Sequence, residues 1–91
     1  MKLQFITETE RRLSNILEAF ARGEDVAPAE RYQTEGFMQA GVYLGLATEQ
    51  QLSELLIKLQ QAILNLEDQR IFADQLSIPI LMKRAPVTPS T

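Results

Sequence analysis

Cysteine and histidine are both missing from this 91-residue chain. Without cysteine there is no disulfide framework and no thiolate nucleophile or ligand. Without histidine there is no side chain that ordinarily titrates near neutral pH, and the commonest ligand for zinc and its neighbours is lost. The Glu-x-x-His pairs of bundle di-metal centres cannot be built, so the reading expects no metal and no cofactor. Long hydrophobic runs are also lacking. The best, GVYLGLA at residues 41–47, falls far short of the ~20 residues that cross a bilayer. The first residues, MKLQFITETERR, meet Glu8, Glu10, Arg11 and Arg12 before any apolar stretch develops, which does not fit a secretory signal. A cytoplasmic protein without a membrane partner is the expectation.

Hydrophobic residues make up 45% of the chain and charged residues 23%, which lies in the globular range. A chain of this length buries only about 60–65% of the surface its unfolded form exposes. With neither disulfide nor metal to reinforce the fold, association is a natural source of extra stability. The formal net charge is −3, with an isoelectric point near 4.9. That balance opposes general nucleic-acid binding, which depends on neutralising phosphates with Lys and Arg.

The helical period runs through most of the sequence. Leu3, Ile6, Leu13, Ile16, Leu17 and Phe20 share one broad face at ~100° per residue, predicting an amphipathic helix. It starts near Lys2 or at a capping box formed by Thr7 and Glu10, and Gly23 ends it. Pro28 suits the first turn of a second helix over residues 28–44, which Gly45 can close. From Gly36 to Ala47 the only strongly polar residue is Gln39, so this segment is expected to be enclosed by neighbours. Gly36 and Ala40, then Gly41 and Gly45, fall four apart and predict close approach of helix backbones, offsetting the ~1 kcal/mol that each interior glycine costs.

Thr48 and Gln51 form a T-x-x-Q capping box that opens a third helix. It is expected to continue from residue 48 to about 76, with Leu52, Leu55, Leu56, Leu59, Ala62, Ile63 and Leu66 on its core side. Ile57, Leu64 and Ile71 repeat every seven residues on another side, and with Phe72 and Leu76 they make a candidate partner interface. The pattern breaks before Pro79. Residues 78–91 then read as an extended or partly disordered tail, in which the apolar cluster IPILM docks on a groove.

Two motifs bear on function. The stretch AGVYLGLATEQQL superficially resembles a DNA-reading helix-turn-helix. The position that should be apolar after the turn falls on Gln51, however, and the third helix opens with Glu49, Gln50, Gln51 and Glu54 and has no arginine or lysine before Lys58, so carboxylates would meet the phosphates. KRAPVTP matches a basic, Pro-x-x-Pro pattern of polyproline ligands, but seven such residues arise readily in an inert terminus. For catalysis the chain offers carboxylates, Ser14, Ser53, Tyr32, Tyr43 and the lysines, with no base paired to a nucleophile. Glu35 follows Arg31 by one turn and reads as half of an ion pair.

The expected architecture is all-α: a three-helix antiparallel bundle over residues 1–77, with a long C-terminal helix and a proline-containing tail. The expected function is non-catalytic: a small protein–protein interaction module, homodimeric through the third helix and open to another protein. The alternative is a dimeric DNA-associated regulator with a degenerate helix-turn-helix, using Arg11, Arg12, Arg31 or the Lys83–Arg84 pair.

Overall fold

Local chemistry at the turns divides the chain into helices. In the structure, a computed structural model that describes residues 1–75 with side chains through Phe72, these are α1 (Lys2–Ala21), α2 (Pro28–Tyr43), α3 (Glu49–Ile63) and α4 (Leu66–Gln75). The described residues are all-α, as expected. Leu76, the boundary after residue 77 and the IPILM segment lie outside them.

Helix α1 begins at Lys2, so Thr7 lies inside it rather than capping it. Both glycine turns end their helices in the same way. Gly23 has φ of +79° and Gly45 +76°, a left-handed conformation that glycine enters without a Cβ penalty. After α1, Gly23 N–H donates to Phe20 O and Glu24 N–H to Ala19 O, each at 3.0 Å. After α2, Gly45 N–H donates to Val42 O at 3.0 Å and Leu46 N–H to Gly41 O at 2.8 Å. These paired bonds are Schellman closures, which satisfy carbonyls that a helix end otherwise leaves open. Pro28 opens α2. The capping box of α3 forms in full: Thr48 Oγ1 accepts from Gln51 N–H at 3.0 Å, and Gln51 Oε1 accepts from Thr48 N–H at 2.9 Å.

The expected long third helix is instead two. Leu64 is extended, with φ of −103° and ψ of 144°, and Asn65 caps a new helix by accepting from Asp68 N–H through Oδ1 at 2.7 Å. Gln69 Nε2 reaches back to Leu64 O at 3.1 Å across the break. Glu67 and Asp68 in the first turn of α4 complement its dipole.

Helix α1 is the organising element, packing on both α2 and α3, while α4 leans on α3. The core joins Phe5, Leu13, Ile16 and Leu17 of α1 to Met38 of α2 and to Leu52, Leu56 and Leu59 of α3, with Val26, Ala47, Leu64 and Phe72 closing it. Phe5 is the core residue at the start of α1, whereas Leu3 is exposed. Ala62 and Leu66, expected inside, are exposed. Two threonines are buried among these apolar side chains, and each satisfies its own hydroxyl one turn back: Thr9 Oγ1 donates to Phe5 O at 2.8 Å and Thr34 Oγ1 to Glu30 O at 2.9 Å.

Candidate interaction surface

The contact between α1 and α2 fixes what each helix leaves outside. A Cβ on Gly41 would overlap the outer carbons of the Phe5 ring, so the missing side chain is what allows Phe5 to lie against the α2 backbone. The Phe5 ring stacks on Phe37, with centroids 5.1 Å apart and planes at 27°. The Arg12 guanidinium lies over the other aromatic, 4.5 Å from the Phe37 centroid. Glu8 holds both arginines of α1: Arg11 Nε and Nη2 donate to it at 3.0 and 2.6 Å, and Arg12 Nε at 2.9 Å. The hydrogen bond from Arg11, with the fields of both guanidinium groups, holds the Glu8 carboxyl below its usual value, and the same bond raises Arg11.

A groove of about 440 Å³ opens beside these arginines, with Asn15, Ala27, Glu30 and Gln33 along its walls. Its cationic groups are already engaged by Glu8, and Glu30 adds a negative charge, so the groove has no strong electrostatic preference. The expected Arg31–Glu35 pair does not form among the described residues. Glu35 Oε2 accepts from Gln39 Nε2 at 2.7 Å, and Arg31 Nε is buried without an acceptor among the described residues.

The heptad line proposed as an interface is dismantled by the break at Leu64. Ile57 remains outside, at 50% exposure. Leu64 and Phe72 turn into the core, and Phe72 meets Phe20 edge to face with centroids 5.5 Å apart. Ile71 is half-buried, and Leu76 lies outside the described residues. Because the extended residue resets the helical phase, Ile71 and Phe72 no longer continue the line that Ile57 begins.

Of the four positions expected to give close backbone packing, only Gly41 does so. Among the described residues, Gly36 and Gly45 have nothing within 4 Å of where a Cβ would stand, and Ala40 is exposed. Gly45 serves the turn instead. Among the described residues, the apolar part of α2 is therefore covered on one side only. Along its open side run Tyr32, Gln33, Gly36, Gln39, Ala40, Tyr43 and Leu44, all exposed. At ~100° per residue these positions span an arc of roughly 140°. The arc carries no charge; Glu30 and Glu35 lie just beyond its two edges. Tyr43 is 89% exposed, Leu44 67% and Tyr32 61%. The signal for this face was already in the sequence, as a charge-free stretch longer than one contact could cover.

The start of α3 is occupied by its own cap. Gln51 is spent on Thr48, and Gln50 Nε2 donates to Glu54 Oε2 at 3.1 Å. No helix among the described residues is long and apolar enough to cross a membrane.

Fold and surface together define a small all-α bundle organised by its first helix, with an uncharged, aromatic-bearing face on its second. No protein-family model matches the chain, and no characterised protein or solved structure matches it.

Proposed function

We propose that the chain is a small cytoplasmic protein–protein interaction module without catalytic activity, acting as an adaptor or regulator. The observation that carries this reading is the uncharged open side of α2, where two tyrosines and Leu44 stand in solvent. Isolated apolar side chains are ordinary on a protein surface, but an elongated patch of them with no charge is a common mark of an interaction site. Aromatic side chains are also favoured as anchors in interfaces, because they bring large contact area at little conformational cost. The test is the native mass of the protein in a gently prepared lysate. Migration at the mass of the free chain, 10.3 kDa, with nothing bound, would overturn the reading. A gel-shift titration across salt addresses the DNA-associated alternative: duplex binding that weakens steeply with ionic strength would favour that reading instead.

A further inference from the structure

We infer that the open side of α2 docks on the same face of a second copy of this chain, forming a two-fold dimer with antiparallel α2 helices. The inference rests on the interaction reading above and names its partner.

Three features of the face fit a copy of itself. The first is electrostatic. A two-fold axis relates each residue to one across it, so a face with charges near its axis opposes like to like. Here the arc from Tyr32 to Leu44 is neutral. Centring the axis midway between Gly36 and Ala40 sets Glu30 and Glu35 against positions 46 and 41 of the second copy, and Arg31 against position 45. None of these is charged, so no acid of α2 opposes an acid of the second α2, although the chain's net charge is −3.

The second feature is the order of side-chain sizes. Among the face's non-amide positions it runs large, small, small, large: Tyr32, Gly36, Ala40, then Tyr43 with Leu44, with Gln33 and Gln39 beside them. Two helices that cross touch at one point and diverge on either side. Small residues at the crossing let the backbones approach, and large residues at the ends fill the widening gap. With the same axis, Gly36 faces Ala40, Tyr32 faces Leu44 and Gln33 faces Tyr43. Apart from Gln39, whose counterpart Phe37 is stacked on Phe5, the face is complementary to its own reversal, which is what an isologous contact requires.

The third is area. Buried aromatic side chains contribute roughly 150–250 Å² each, so two largely exposed tyrosines with Leu44 and the smaller residues between them can bury roughly 500–700 Å² per copy. Specific interfaces bury about 600–1,000 Å² per partner, so the face reaches the lower end of that range. The dimer is accordingly a reversible one.

Composition supplies an unusually direct probe. The chain has two tyrosines and no tryptophan, and both tyrosines lie on this face, so its tyrosine emission reports on the face alone. Sedimentation equilibrium of the full chain, run up to a few hundred micromolar, is paired with acrylamide quenching of that emission at the same concentrations. The expected result is a mass rising from 10.3 kDa to twice that value, with quenching falling in step. Ala40→Glu should weaken the dimer at least tenfold while keeping the helical circular dichroism of the wild type. Ala62→Glu, on the exposed side of α3, should leave it unchanged. A dimer whose tyrosines stay fully quenchable, or one that ignores Ala40→Glu and yields to Ile57→Lys, overturns the α2 assignment while leaving the interaction reading intact. A chain that is monomeric at every concentration overturns the dimer. The lysate mass then decides separately whether the interaction reading survives.

Discussion

Two glycines of α2, Gly36 and Gly41, provide a controlled comparison, because both lie inside the same helix and differ in what stands opposite them. Replacing either with alanine removes the same excess backbone entropy, a gain of roughly 0.8–1 kcal/mol in an interior position. At Gly36 there is open space around the single chain, so at dilutions where the reversible dimer is dissociated the gain should be realised in full. At Gly41 the new Cβ would overlap the outer carbons of the Phe5 ring. That ring is buried and already stacked on Phe37, so moving it disturbs a packed aromatic pair. Overpacking of a core contact costs about 1–3 kcal/mol, and a disturbed aromatic pair about 0.5–1.5 kcal/mol. The propensity gain is too small to offset these. Gly41→Ala should therefore lose about 1–2 kcal/mol, which places the two variants roughly 2–3 kcal/mol apart.

Thermal and urea unfolding followed by circular dichroism measure this gap directly. A domain of this size shifts by about 4–8 °C in Tm per kcal/mol, so the two alanine variants should melt on opposite sides of the wild type. A second cycle assigns the cause. In a Phe5→Leu background the smaller side chain leaves room, and the penalty of Gly41→Ala should shrink by about 1 kcal/mol or more. If Gly41→Ala stabilises the protein as much as Gly36→Ala does, the close approach of α1 to α2 is refuted, and with it the reason α2 presents its other side to solvent.

Further outcomes follow from other contacts. Phe72→Ala removes a buried ring that meets Phe20 edge to face and should cost about 3–5 kcal/mol, seen as a large drop in urea midpoint; a change below ~1 kcal/mol would show that α4 does not dock through it. Asn65→Ala deletes the 2.7 Å cap on Asp68 N–H and should cost about 1 kcal/mol, whereas Asn65→Asp should restore most of it. The Glu8 carboxyl is held below its ordinary value first by the Arg11 hydrogen bond. A depressed carboxyl contributes stability above its unfolded value and loses it as pH falls through the folded one. Glu8→Gln should therefore be less stable than wild type near neutrality, by a small, salt-sensitive margin, and the two should converge below pH 4.5. A gap that persists into acid would assign the effect to packing.

What could be read from the sequence was chiefly what short-range chemistry decides. The Thr48 and Gln51 box, the stops at Gly23 and Gly45 and the start at Pro28 each depend on a few adjacent residues, and each is found as expected. The break at Leu64 was equally local, signalled by Asn65 followed by Glu67 and Asp68, an N-cap with an acidic first turn. It was missed because the seven-residue spacing of Ile57, Leu64 and Ile71 made one continuous helix look sufficient. A periodic pattern is informative only within a single helical phase, and one extended residue ends that phase.

The orientation of α1 shows a different limit. Phe5, Thr9, Leu13 and Leu17 form an unbroken four-residue ladder, and all four are buried. Counting Thr9 as polar interrupts that ladder and lets Leu3 take the place of Phe5. Yet a threonine inside a helix can return its hydroxyl to the carbonyl one turn back, as Thr9 does to Phe5, and then presents mainly a methyl group to its neighbours. Thr34 does the same before Met38 on α2. Read with that allowance, Thr34, Met38 and Gly41 mark the covered side of α2, and the opposite side, Tyr32 to Leu44, follows as the open one. Hydropathy could not make that choice, because tyrosine, glycine, alanine and leucine suit a core as well as an interface. What separates the two sides is which of them meets Phe5, a contact between residues 36 positions apart that only the folded chain brings together.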